Sequence, residues 1–120
     1  MSSSVAYDRV KFATTSAGTG ALTVGAAATG YATPAGRSVP DQAIVDYTIE
    51  DSNGNSEVGT GVYTVSGTSL SRDAAAVNVV SGTAGTGPIT LSGNAIVFFT
   101  VRAQNFNYLD GYAGARIFAR

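Results

Sequence analysis

The sequence predicts an all-β domain, a small antiparallel β-sandwich or barrel with an irregular C-terminal arm. Three observations carry the prediction. Gly, Thr, Ser and Val are spread along the whole chain, charged helix formers are few, and no long segment keeps an apolar stripe at the helical period. Short apolar runs alternate with clusters of Gly, Ser and Asn. One cluster contains Asn53-Gly54, whose residues both tolerate positive φ and form the strongest short-range hairpin signal.

In chain order, residues 1–5 read as a disordered polar arm, 6–104 as the β-domain and 105–120 as a C-terminal docking arm. Strands are expected at residues 9–13 and 21–26. Residues 33–41 form a loop, set by Pro34, Gly36 and Pro40. The clearest strand is AIVDYTIED, with Val45, Tyr47 and Ile49 on one face and Asp46, Thr48 and Glu50 on the other. Its partner is EVGTGVYTV, whose larger apolar members are Val58, Val62 and Tyr63. A two-residue Asn53-Gly54 turn places Ile49 opposite Val58, Tyr47 opposite Thr60, Val45 opposite Val62 and Ile44 opposite Tyr63, so that apolar meets apolar. The same register sets Glu50 against Glu57 on an exposed face. Further strands are expected at 69–72, 76–80, 88–91 and 95–103, the last being the most apolar and central. GTGALTVGAAATG and SGTAGTGPITLSG share a Gly-Thr-Gly punctuation and read as turns feeding short strands rather than as repeats.

A chain of 120 residues makes one domain at most and can fold alone. Much of its apolar content is Ala, which predicts a thin core and help from partner subunits in a homo-oligomer. The formal net charge is -1, Lys11 is the single lysine, and the arginines are scattered. That distribution argues against nucleic-acid binding. No apolar run reaches membrane-spanning length and no basic-then-apolar leader opens the chain, so no membrane association is expected. There is no cysteine and hence no disulfide framework.

Histidine is also absent, which removes the commonest general base and nearly every zinc site. Only Asp46, Glu50, Asp51 and Glu57 cluster in sequence, and the expected register puts them on an exposed hairpin face and its tip, not in a cleft. Neither glycine-rich run has the lysine of a phosphate loop or the third glycine of a dinucleotide fingerprint. No enzyme activity and no cofactor are expected. Asp51, Asn53, Asn55 and Glu57 alternate like the start of a calcium loop. Ser56 stands where that loop needs Gly, and Val62 where it needs a bidentate acid, so Asn53 and Gly54 read as a structural turn and no metal is expected.

Phe106, Tyr108, Leu109, Tyr112, Arg116, Ile117, Phe118 and Arg120 mix aromatics and arginines with glycine after the β pattern has ended. They either fold back on the domain or dock on another chain. Aromatic and Arg anchors favour the second, an assembly interface.

YDRVK at Tyr7, GTGALTVGAAATGY at Gly18, YTIED at Tyr47, EVGTGVYT at Glu57 and SGTSLSRD at Ser66 follow one another in an order that resembles a module of tailed-bacteriophage virion structural proteins. The resemblance covers residues 7–73 and, loosely, the apolar strand beyond. Ser56 departs from it, since the family often carries an aromatic there, and the aromatic tail extends past the usual last strand. It implies a non-enzymatic virion protein, made in the bacterial host cytoplasm and assembled with sister subunits and capsid or tail proteins. Capsid decoration, cementing or a head spike comes first. A tail-fibre or baseplate adaptor contributing to receptor attachment is the alternative. A carbohydrate-binding module, using Tyr31 or Tyr63 as aromatic platform, is third.

Overall fold

The computed structural model describes residues 7–102. They form β1 (Lys11–Thr14), β2 (Ala17–Gly18), β3 (Leu22–Thr23), β4 (Ala43–Asp51), β5 (Ser56–Thr64), β6 (Ser69–Leu70), β7 (Val77–Val80), β8 (Thr83–Thr86), β9 (Leu91–Ser92) and β10 (Ala95–Phe99). Among the described residues the one helical turn is a 3₁₀ segment at Ala35–Arg37, inside the expected loop. The fold is all-β, as the composition predicts.

The main sheet runs β1-β10-β4-β5-β6-β3, with antiparallel neighbours throughout. Just after β3 the chain returns to β1. Ala13 donates to the Ala26 carbonyl at 2.9 Å and accepts from the Gly25 N–H at 2.8 Å, and Phe12 bridges Ala27. This contact joins the two ends of the sheet, so the molecule is a nearly closed barrel rather than a sandwich. A Cβ on Gly25 would collide with the Ala13 carbonyl, which is why glycine occupies the seam. A separate two-stranded pair, β2 with β9, stands apart from the barrel sheet.

Alternate residues of each strand point inward. Phe12, Val45, Tyr47, Ile49, Tyr63, Leu22, Leu70 and Val97 make the core, joined by Val10, Val39, Ile89, Leu91 and Ala95. Ala95 is the one alanine in that cluster, so branched and aromatic residues build it and most of the alanines lie outside it. Strand β10 lies between β1 and β4, as its apolar sequence predicts. It stops at Phe99, short of the expected end. The Asp46 carbonyl accepts from the Thr100 N–H at 3.2 Å and its carboxylate accepts from the Arg102 N–H at 3.0 Å.

The β4–β5 hairpin forms one residue away from the expected register. Ile49 pairs with Glu57, Tyr47 with Gly59, Val45 with Gly61, Ile44 with Val62 and Glu50 with Ser56. The turn is the cause. Gly54 N–H donates to the Asp51 carbonyl at 2.9 Å, Asp51 N–H donates to the Asn55 carbonyl at 2.9 Å, and Gly54 has φ 94°. These bonds define a three-residue loop over 52–54, a type I turn closed by a left-handed glycine bulge, in place of a two-residue turn. The Asp51 carboxylate favours this geometry by accepting the Asn53 N–H at 3.1 Å. A slip of one residue inverts the face of a strand. Val58 and Val62 therefore turn outward, while Glu57, Gly59, Gly61 and Tyr63 turn inward. The slip also separates Glu50 from Glu57.

A second hairpin joins β7 to β8 through Ser81-Gly82, with φ 51° and 82°, a type I′ turn. Residues 83–86, expected within a turn, are thus a strand.

Candidate functional site

The inverted face of β5 places a carboxylate inside the barrel. Glu57 is fully buried and forms an ion pair with Arg72, also buried, at 2.5 Å. Both oxygens of Glu57 are occupied twice. Oε1 accepts from Arg72 Nη2 and from the Ile89 N–H at 2.9 Å; Oε2 accepts from the Tyr47 hydroxyl at 2.7 Å and from Arg72 Nε at 3.2 Å. Arg72 uses its remaining N–H groups on backbone carbonyls. Nη1 donates to Gly18 at 2.9 Å and Gly20 at 3.2 Å, and Nη2 donates to Ile89. The planar guanidinium suits this task because its five donors lie in a fixed fork. It ties the β2 segment and the loop before β9 to the floor of the barrel.

Two glycines on the same face of β5 allow close approaches, Gly59 to the network and Gly61 to the Ser71 backbone. A Cβ on Gly59 would lie 2.5 Å from the Tyr47 hydroxyl, and one on Gly61 would collide with the Ser71 carbonyl. The Tyr47 hydroxyl, held between Glu57 and the Asp73 N–H at 3.0 Å, stays protonated. Burial raises its pKa most; the Asp73 N–H opposes this and Glu57 adds to it, leaving it well above the ordinary 10.0.

A second cluster crosses the outer face of the same hairpin. Asp46 accepts from the Thr60 hydroxyl at 2.8 Å, and Arg102 Nη1 reaches Thr60 at 3.3 Å and Asp73 at 3.1 Å. Asp46 and Arg102 are buried, so Asp46 does not lie on an exposed face as its alternation with Tyr47 suggested. Arg102 covers it. Of the four clustered carboxylates, Glu50 alone is exposed.

The hairpin tip is tied down in the same way. Asp51 accepts from the Ser92 N–H at 3.0 Å as well as from Asn53, and Ser52 N–H donates to the Asn94 carbonyl at 2.9 Å. Burial pushes the Asp51 pKa up, but the Ser92 backbone and hydroxyl, the Asn53 N–H and the Arg72 charge outweigh it and hold the group below its ordinary 3.8. A depressed carboxylate stabilises the fold above its unfolded pKa and ceases to as pH falls through its folded pKa. Asp51→Asn is therefore expected to lower the melting temperature at about pH 7, with the gap to wild type narrowing below about pH 4. Melts across that range check it; a gap that does not change with pH would contradict it.

The four candidate metal ligands do not converge. Asp51 serves Asn53 and Ser92, the Asn53 amide oxygen accepts from the Asn55 N–H at 2.9 Å, the Asn55 amide oxygen accepts from the Ser81 N–H at 2.9 Å, and Glu57 points into the barrel. No group of three or more acidic, His or Cys side chains suited to a metal occurs among the described residues. Phe106, Tyr108, Leu109, Tyr112, Arg116, Ile117, Phe118 and Arg120 lie outside the described residues.

Of the two proposed aromatic platforms, Tyr63 is buried in the core. Tyr31 lines a pocket of about 360 Å³ with Arg9, Lys11, Glu50 and Phe98, and the Arg9 guanidinium sits 3.9 Å over its ring. Arg9 is held there by a left-handed backbone, φ 60°, and by donation to the Gly30 carbonyl at 3.0 Å. That ring face is thereby covered by a cation.

A two-residue Asn53-Gly54 turn, with the apolar matching it allows, turns Glu57 outward and so hides the Glu57–Arg72 pair from the sequence. The usable signal is Gly59 and Gly61, two and four residues after an acid and on its face of the strand, since glycine inside a strand marks a close approach. No family model, curated protein or solved structure matches the chain.

Proposed function

We propose that the chain is a non-enzymatic structural protein of a tailed-phage virion, acting first as a capsid decoration, cement or head-spike component beside sister subunits and other virion proteins. One observation carries the reading. Three of the five segments that bear the sequence resemblance supply the buried network: Tyr47 of YTIED, Glu57 and Gly59 of EVGTGVYT, and Arg72 and Asp73 of SGTSLSRD. Their chemistry is spent on backbone amides, carbonyls and one another. Asp46, Asp51 and Glu57 each hold N–H or O–H donors, which suits scaffold work and leaves none of the three poised as an acid or base in a cleft.

The carbohydrate reading is weaker, because Tyr63 is in the core and a face of Tyr31 is capped by Arg9. The tail-fibre or baseplate reading differs from the head reading only in location. Purified particles of the phage encoding the chain test both. Mass spectrometry is expected to find the protein in fixed multiple copies per particle, and particle density to place the barrel on the head. Density on the tail would replace the first reading by the second. Absence from washed particles would reject both.

A further inference from the structure

The β7–β8 ribbon is unlike the rest of the sheet. Strand β7 pairs with β5 and with β8, but β8 pairs only with β7 among the described residues. All four residues of β8 are exposed, and so are Val77, Val79 and Val80 at 48%, 39% and 41%. The Gly87 N–H bonds to the Ala76 carbonyl at 2.7 Å, which fixes the phase of the ladder. Gly85 then bonds toward β7, while Ala84 and Thr86 turn their N–H and C=O groups outward. No described residue receives them. Exposed edges of this kind are normally blunted by Lys, by Pro or by a bulge. Here no charged residue occurs anywhere from 74 to 101.

We infer that β8 is a pairing edge, and that its partner is β8 of a second copy of this chain. An antiparallel pair about a two-fold axis at Gly85 sets Ala84 opposite Thr86 of the copy, in hydrogen-bonded register on both sides. Every outward backbone group of the strand then finds its complement. The glycine at the axis and the small Ala84 let the strands close. The uncharged run brings no like charges together. On the outer face Val79 and Ala84 of one copy continue into Thr86 and Val77 of the other, so the exposed valines gain an apolar row across the junction. A four-residue edge buries well under the roughly 1,000 Å² of a stable pair. The contact is therefore weak between free molecules and strengthens where copies are held close together. It rests on the edge geometry and stands apart from the virion reading.

Sedimentation and amide exchange of the full chain, from about 20 µM to about 1 mM, test it. Association is expected to rise with concentration, and exchange at Ala84 and Thr86 to slow severalfold while Gly85 is unchanged. Thr86→Pro removes an outward N–H without touching the β7–β8 ladder, and Ala84→Lys sets charges together across the axis. Either substitution is expected to restore the monomer at an unchanged melting temperature. A monomer with concentration-independent exchange at these two amides overturns the inference, whether exchange is fast or, because the chain's own residues cover the edge, slow. Association that survives both substitutions overturns it too.

Discussion

Glu57→Ala is expected to lower the stability of the domain by about 3–5 kcal/mol, the penalty for breaking a buried ion pair from one side. The substitution leaves the Arg72 guanidinium inside the barrel without its counter-charge. It also strips an acceptor from the Tyr47 hydroxyl and from the Ile89 N–H. Against a total of about 5–15 kcal/mol for a domain, that loss is a large fraction. Arg72→Ala is expected to cost a similar amount, since it strands the carboxylate and releases the carbonyls of Gly18, Gly20 and Ile89. Glu57→Leu combined with Arg72→Met removes both charges and is expected to recover part of the loss, because no lone charge stays buried. Urea unfolding of the four proteins measures this. Single variants within about 1 kcal/mol of wild type would mean that the pair does not hold the fold.

Gly61→Ala is expected to be the most damaging change outside the ion pair, at about 1–3 kcal/mol. The added methyl collides with the Ser71 carbonyl and lies 3.3 Å from Leu70 Cδ1. The backbone of Ser71 cannot yield easily, because its N–H donates to the Val62 carbonyl at 3.0 Å and its hydroxyl accepts from the Val62 N–H at 2.8 Å. Gly20→Ala is the control. Nothing lies within 4 Å of its added Cβ, its φ is not positive, and its carbonyl remains for Arg72. It is expected to change stability by less than about 0.5 kcal/mol. Equal effects at the two glycines would show that the close approach of β5 to Ser71 is wrong.

The strands were legible wherever side chains alternate cleanly. Val45, Tyr47 and Ile49 face the core as their spacing requires, and the most apolar strand lies between two others. The pairing of β4 with β5 was legible too, but not its register. Apolar matching selects Val58 and Val62 for the interior, whereas the Asp51 carboxylate and Gly54 select a three-residue loop that sends them out. Short-range turn chemistry decided the register, and the interior accepted an acid because Arg72, fifteen residues away, meets it there. No local pattern announces a contact at that separation. The β8 strand was hidden for a related reason. TAGT has the composition of a loop, and only the Ser81-Gly82 turn makes it fold back along β7.

Cross-strand Hα–Hα contacts in the β4–β5 hairpin, read by NMR, distinguish the two registers directly. Only the observed register turns Glu57 inward to Arg72. It makes Thr48–Val58 and Asp46–Thr60 non-hydrogen-bonded pairs, whose Hα atoms are close. Strong contacts at those two pairs are the expected result. Strong contacts instead at Ile49–Val58 and Tyr47–Thr60 would place Glu57 on the outside, and the buried network would not exist.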